Sequence, residues 1–318
     1  MIRLLCIALL VLPAMAQAQS YPNRPVRVVV TFPPGGTPDI YGRVMAAELQ
    51  KAWSQPVIVE NRAGAGGTIG TDAVAKAAPD GHTLLFGADA TLTLAPAVIA
   101  NLPYDPVRDF APIVNVTAGP FVLLAHASFP PNNVQEFIAL AKAQPGKIPY
   151  ASSGKGTQQH LSMETVRAMT GIDVLHVPYK GFGQGLTDVM AGQVPLIFGG
   201  ITASIPLIKS GKVKGLAVTS PQRAKALPEV PSFAEQGLAG FDIQAWYGFV
   251  GPAGMPREIV RKINADSRAI IERPDFQARL ARDGIEPVGN SPEAFADQIR
   301  ADIERWAKIV RAAGIRPE

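Results

Sequence analysis

Two stretches of this chain set small hydrogen-bonding residues between a strand and a helix, and the chemistry such turns offer is the seating of an anion. The first is Thr31-Phe32-Pro33-Pro34-Gly35-Gly36-Thr37-Pro38-Asp39-Ile40, which follows the β-branched run Val26-Arg27-Val28-Val29-Val30. Two prolines stop the strand because neither can donate to a ladder. Gly35 and Gly36 let the backbone turn and leave no side chains over it. Thr37 reads as the N-cap, Pro38 as the first helical residue, and Asp39 falls in the first turn, where the dipole favours an acid. A helix N-terminus at the carboxyl end of a strand presents N–H groups that suit an anion. The second stretch is Tyr150-Ala151-Ser152-Ser153-Gly154-Lys155-Gly156-Thr157, again strand, small polar residues, glycine, helix. Two such turns facing one another hold a ligand outside the carboxyl ends of parallel strands. Each N-terminus contributes about 0.3–1 kcal/mol to an anion, and each hydrogen bond to a charged group about 1.5–3 kcal/mol. A handful reaches the roughly 8 kcal/mol of a micromolar complex.

Sharper chemistries fit less well. Gly64-Ala65-Gly66-Gly67-Thr68-Ile69-Gly70 approaches a dinucleotide fingerprint, but Ile69 stands where the third glycine belongs. Gly154-Lys155-Gly156-Thr157 lacks the order of a phosphate-binding P-loop. A serine nucleophile at Ser152 or Ser153 would draw on His160, one turn into the next helix, yet no Gly-x-Ser-x-Gly elbow is present. His82, His126, His160 and His176 lack metal-ligand spacing, so neither a metal nor a cofactor is expected. His160 is the histidine best placed for the site, and Trp246 lies on an expected interdomain crossing where it can stack on a ligand.

The elements that must position these turns follow from periodicity. Tyr41, Met45 and Leu49 recur as on one helix face, then Pro56–Glu60 reads as a strand, Thr68 to Ala78 as a helix and Thr83–Phe86 as a third strand. This βαβαβ pattern opens a parallel, doubly wound sheet. Strands are predicted at 113–116 and 121–126. A second α/β unit follows, with a helix at 133–143, strands at 148–151, 173–177, 194–198 and 215–219, and helices from about Gln158, near Leu186 and near Ile205. A strand at 246–251 returns, and helices fill the rest. The last begins at Ser291-Pro292, with Phe295, Ile299, Ile303, Trp306 and Val310 along one face.

The chain of 318 residues opens with a basic start, an apolar run from Leu4 to Leu12 and Ala16-Gln17-Ala18, the form of a secretory leader over residues 1–18, with cleavage after Ala16 as the alternative. Removing eighteen residues leaves 300, comfortable for two domains. The single cysteine, Cys6, lies in that leader, so the exported chain has no disulfide or thiolate chemistry. The net charge of +4, spread without an aromatic-interleaved basic patch, argues against nucleic acid as a partner.

Many blocks in order resemble one family over the exported length. They include Phe32-Pro33-Pro34-Gly35-Gly36 with Asp39, Val59-Glu60-Asn61-Arg62 with Gly64-Ala65-Gly66-Gly67, and Ala78-Pro79-Asp80-Gly81. They continue with Leu102-Pro103-Tyr104-Asp105-Pro106, Tyr150-Ala151-Ser152-Ser153-Gly154, His176-Val177-Pro178-Tyr179-Lys180-Gly181 and Gly251-Pro252-Ala253-Gly254. The chain thus resembles the Bug, or TctC-like, extracytoplasmic solute receptors of tripartite tricarboxylate transporters. The resemblance implies a periplasmic binding protein of the two-lobed, Venus-flytrap, type II-like α/β fold, each lobe a mostly parallel sheet flanked by helices. It implies a monomer that binds a small organic acid and passes it to a permease of large and small integral membrane subunits. Lobe one is expected at 19–120 plus 248–318 and lobe two at 121–247, hinged near Phe121 and Tyr247. By match, the ligand loops are Phe32 to Asp39, Ala88-Asp89, Ser152 to Thr157, Tyr179 and the turn after Phe198. Two departures stand out: Gly199-Gly200 replaces the family's more usual Asp-Asn, and Asp89 is an acid where small polar residues are commoner. The rival readings are an exported hydrolase using Ser152 or Ser153 with His160, and a receptor that signals to a membrane sensor kinase.

Overall fold

One strand of seventeen residues carries the architecture of the computed structural model, which describes residues 21–317. The leader expected at 1–18 lies outside the described residues. The first half of the chain runs β1 (Val26–Val30), α1 (Thr37–Trp53), β2 (Val57–Asn61), α2 (Thr68–Ala75), β3 (Thr83–Ala88), α3 (Ala95–Val98) and the long β4 (Phe110–His126). Next come α4 (Val134–Ala143), β5 (Pro149–Ser152), α5 (Gln158–Thr170), β6 (Leu175–Pro178), α6 (Phe182–Met190), β7 (Leu196–Gly200), α7 (Ile201–Lys209) and β8 (Val213–Val218). The chain ends with β9 (Gln244–Pro252), α8 (Arg257–Ile271), α9 (Pro274–Arg282), β10 (Glu286–Pro287) and α10 (Pro292–Ala312). A π-helical turn, Ala90–Leu94, joins β3 to α3, and no pattern in the sequence announces it.

The sheet order is β2-β1-β3-β9-β4-β7-β5-β6. Strands β2, β1 and β3 are parallel, as are β7, β5 and β6, so each half has a parallel core. The antiparallel strands are those that join the halves. Residues Phe110 to Pro120 of β4 pair with β9, while Phe121 to His126 pair with β7 and β8. The strands predicted at 113–116 and 121–126 are therefore one strand that changes partners at Pro120, a residue with no N–H for the ladder. β9 pairs with β4 from Gln244 onward, so the return crossing lies at Ile243–Gln244, earlier in the chain than Tyr247. Thr219 fastens the two crossings together: its N–H donates to the Phe121 carbonyl at 2.9 Å, its Oγ1 accepts from Phe121 N at 2.8 Å, and its carbonyl accepts from Ile243 N at 3.2 Å.

Helix α10 straddles the halves. Ser291 caps it, accepting from Ala294 N. Phe295 and Ile299 pack against Val29, Leu85 and Trp246, whereas Trp306 and Val310 join the core built on Phe137, Tyr150 and Phe198. Leu94 and Ala97, which follow β3 in the chain, belong to that second core as well. No helix among the described residues is long and apolar enough to cross a membrane.

Candidate functional site

Gly36, not Thr37, is the N-cap of α1, and no side chain caps the helix. Thr37 and Pro38 already lie in the first turn, and Gly35 makes the turn at φ 89°, a conformation glycine adopts freely. Asp39 points back into this turn. It is buried, and its carboxylate accepts from Gly35 N at 2.9 Å, Asn61 Nδ2 at 2.8 Å and Arg43 Nε at 2.9 Å. Asn61 Nδ2 also donates to the Phe32 carbonyl at 3.1 Å. Burial pushes the Asp39 carboxyl up, but Arg43, the Gly35 N–H and Asn61 together hold it below the usual carboxylate range. Asp39 is thus the brace of the turn, and the end of α1 is left open beside it.

Against that open end lies a cavity of about 340 Å³, lined by Phe32, Pro33, Pro34, Gly36, Pro38, Ala88, Asp89, Ala90, Gln158 and Tyr247. Its walls are mostly apolar rings and small residues. Its polar residues are Asp89, Tyr247 and Gln158, beside the turn at Gly36. Gln158 opens α5 and comes from the second half; its Nε2 donates to Asp89 Oδ2 across the cavity. Asp89 is almost wholly buried. Burial, and then the carboxylate of Asp302, push its carboxyl up to about 8, against the N–H groups of Ala90 and Trp246 and the charge of Arg305.

Five of the predicted residues, Phe32, Pro34, Gly36, Ala88 and Asp89, therefore line one cavity, and the others lie outside its wall. Trp246, expected at the ligand, packs in the core with Phe295 at a ring separation of 5.0 Å, and its Nε1 donates to Asp302 Oδ2 at 2.9 Å. Its neighbour Tyr247 lines the cavity instead, because successive residues of a strand face opposite ways. Tyr247 pairs with Ala88 in the ladder, beside Asp89. Gly199 is packed: a Cβ there would stand 2.9 Å from both Leu124 Cδ1 and Ser204 Oγ. It gives the cavity no room, and Gly200, the N-cap of α7, opens onto free space elsewhere. Tyr179 is turned to α6, its hydroxyl donating to Asp188 Oδ2 at 2.7 Å. Pro33 and Pro38 fall within the expected loop Phe32 to Asp39, whereas Gln158, Tyr247 and Ala90 are not named from the sequence as ligand residues. The signal for Gln158 was its place directly after the second turn.

The second turn is held from behind by two histidines. The predicted partner of Ser152 was His160, but Ser152 Oγ lies 2.6 Å from His176 Nε2. His160 stacks on His176 at 3.9 Å and uses Nδ1 to accept from Gly156 N at 3.0 Å. Tyr150 stacks on the far face of His176 at 5.0 Å and donates to Glu164 Oε1 at 3.2 Å. Burial pushes both imidazoles down to about 4, His160 further lowered by Arg167 and Lys155 and His176 by His160. They are neutral at pH 7, so the 3.7 Å approach of His160 Nε2 to Glu164 is not an ion pair there. Ser152 is fully buried, accepts from Gly154 N at 3.1 Å and serves the turn. Thr157 Oγ1 donates to the Gly154 carbonyl at 2.7 Å. Ser153 Oγ, by contrast, is buried with no hydrogen-bond partner.

A larger hollow of about 720 Å³ lies elsewhere, between residues 220–226 and the α9–β10 segment. None of the predicted residues lines it.

A family model described as the tripartite tricarboxylate transporter family receptor, TctC, matches residues 41–315. A UPF0065 protein in the tcbD-tcbE intergenic region of Pseudomonas sp. (strain P51) is 37% identical over 308 residues, 96% of this chain and 91% of that one. Protein BugT of Bordetella pertussis is 35% identical over 304 residues, 95% of this chain and 93% of its own. Among solved structures, R. palustris Rpa4515 with adipate superposes with a TM-score of 0.83 at 34% identity, covering 94% of this chain and 100% of that one. MatC (Rpa3494) from Rhodopseudomonas palustris with bound malate gives 0.78 at 35% identity, covering 91% and 100%.

Proposed function

The chain belongs to the tripartite tricarboxylate transporter receptors, the TctC or Bug family, and from that membership we propose that it captures a small organic carboxylate between two lobes and delivers it to a membrane transporter. The lobes follow the expected bounds, 19–120 with 248–318 and 121–247, except that the pairing of Gln244 to Tyr247 with β4 moves the second boundary to Ile243. The leader carries the chain to the periplasm, and the transporter supplies a large and a small integral subunit.

The observation that carries this reading is the cavity between the uncapped end of α1 and Gln158 at the start of α5. The first half supplies most of its lining and the second half supplies Gln158, so a ligand there meets both. Ligand contact with both halves favours the closed state over the open one. On closing, the second turn brings Ser153, whose hydroxyl lacks a partner, together with Gly154 and Thr157 toward the carboxylate. Adipate and malate in two similar proteins of known structure support a carboxylate as the ligand class. The Ser152–His176 contact is the one feature that favours a hydrolase, and it is outweighed by the full burial of Ser152.

A thermal-shift screen of adipate, malate, succinate, citrate and benzoate, followed by calorimetry, tests the reading. Gly36→Glu places a fixed negative charge at the anion seat. Gly36 has φ −79°, and a Cβ there meets nothing nearer than 3.7 Å, so the variant folds. We expect it to lose binding while keeping its melting temperature. Binding that survives in this variant overturns the assignment of the turn, and a panel that gives no shift overturns the receptor reading.

A further inference from the structure

An acid in the wall of an anion site calls for explanation. Asp89 lines the cavity, is almost wholly buried, and shares its surroundings with a second buried acid, Asp302 of α10. One guanidinium serves both. Arg305 lies 3.0 Å from Asp302 Oδ1, and Asp302 also accepts from Trp246 Nε1. With both acids ionised the buried group carries one uncompensated negative charge, and an anionic ligand would add another. Buried charge without a partner is costly enough that the group binds a proton instead.

We propose that Asp89 acts as a neutral carboxylic acid that donates a hydrogen bond to the ligand's carboxylate, so that the receptor captures its ligand together with a proton. This rests on the carboxylate-receptor reading and deepens it. Burial raises the Asp302 carboxyl as well, but its partners favour Asp89 as the acid that holds the proton. Asp302 has the guanidinium and the indole N–H, whereas Asp89 has two backbone N–H groups and the Gln158 amide. Gln158 Nε2 donates to Asp89 Oδ2, and it is the group that a ligand oxygen would displace. The charged and titratable groups facing Asp89 are Asp302 and Arg305 from α10 and Tyr247 from β9, with Asp242 acting one step removed through Asp302. Burial alone raises the Asp89 carboxyl, Asp302 raises it further, and a bound anion acts in the same direction.

The consequence is a pH dependence of sign opposite to that of a carboxylate-lined cation site. Affinity is flat below about pH 7. It falls about tenfold per pH unit once the free protein loses the Asp89 proton near pH 8. Whichever acid of the panel binds most tightly is titrated by calorimetry from pH 6 to 9.5, in paired buffers of different ionisation heat. The expected result is weakening above pH 8, with uptake of close to one proton per ligand at the alkaline end. Asp89→Asn keeps a donor and cannot ionise, and its profile is expected to be flat. Asp89→Ala, with no donor, is expected to bind about 10- to 100-fold more weakly than the wild type at pH 6. A wild-type affinity independent of pH to 9.5, or an Asp89→Asn profile that still falls, overturns the proposal and leaves the receptor reading standing. A wild type that binds no acid at all at pH 6 overturns both.

Discussion

Ser152, His176, His160 and Tyr150 form a column behind the second turn, and its working depends on the imidazoles being neutral. His160 Nδ1 accepts from Gly156 N at 3.0 Å, which a protonated ring cannot do. Both rings are pushed down to about 4, burial being the largest cause, whereas in the unfolded chain they titrate near 6.5. The sign follows from linkage. Between those values the unfolded chain binds protons that the folded chain does not, so stability is lost as pH falls from about 6.5 toward 4. Melting temperatures across that window are expected to drop more steeply for the wild type than for His176→Phe, which keeps a stacked ring without a titrating nitrogen. Equal slopes for the two proteins would show that His176 is already charged in the fold. Asp89 works in the other direction: its raised carboxyl stabilises the fold at low pH and loses that contribution as pH rises toward about 8.

At the scale of elements, the two crossings between the halves depend on one residue, Thr219. The Thr219 side chain accepts from Phe121 N at 2.8 Å, and its backbone serves Phe121 and Ile243, all of it fully buried. Thr219→Val keeps the shape and leaves the Phe121 N–H without that acceptor. A buried unsatisfied donor costs about 1–3 kcal/mol, which chemical denaturation is expected to recover as a lowered midpoint at unchanged slope. An unchanged midpoint would mean that the crossing strands are held by pairing alone. Elements with strong period and punctuation were legible in the sequence: β1, α1 and β3, the turn at Ser152, and α10 with its Ser291 cap. The breaks within them were not. Tertiary pairing joins two predicted strands into β4 through Pro120, and the π-helical turn at Ala90–Leu94 has no turn residues to mark it. The same limit applied to the site. The open end of α1 was readable from Gly35-Gly36-Thr37-Pro38, but whether Trp246 or Tyr247 meets the cavity depends on the register of β9 against β3, set by partners far away in the chain. His176 was missed beside Ser152 because parallel pairing of β5 with β6 sets Tyr150 opposite His176, a relation that spacing does not show.

For the whole molecule, the question is whether the two halves of the sheet are also two units that fold. Their cores interlock. Leu94 and Ala97 leave the first half to pack with Phe137 and Phe198, and α10 places Phe295 in one core and Trp306 in another. A clamshell whose halves were joined by two strands alone would melt in two steps. Here the removal of either half strips apolar partners from the other, so we expect a single calorimetric transition with equal calorimetric and van't Hoff enthalpies. A tightly bound acid at a hundred times its Kd then raises the stability of the entire unit by about 2.7 kcal/mol, although it touches only the cavity. Trp306→Ala probes the coupling. The side chain is fully buried in the second core, and truncating such an aromatic costs about 3–5 kcal/mol. If the cores act as one, the variant melts earlier in a single step, and the ligand moves its whole transition upward as in the wild type. If instead the variant melts in two steps, with only the later one answering to ligand, then α10 is what joins two independently folding halves. The crossings at Thr219 would in that case connect the halves without coupling their stability.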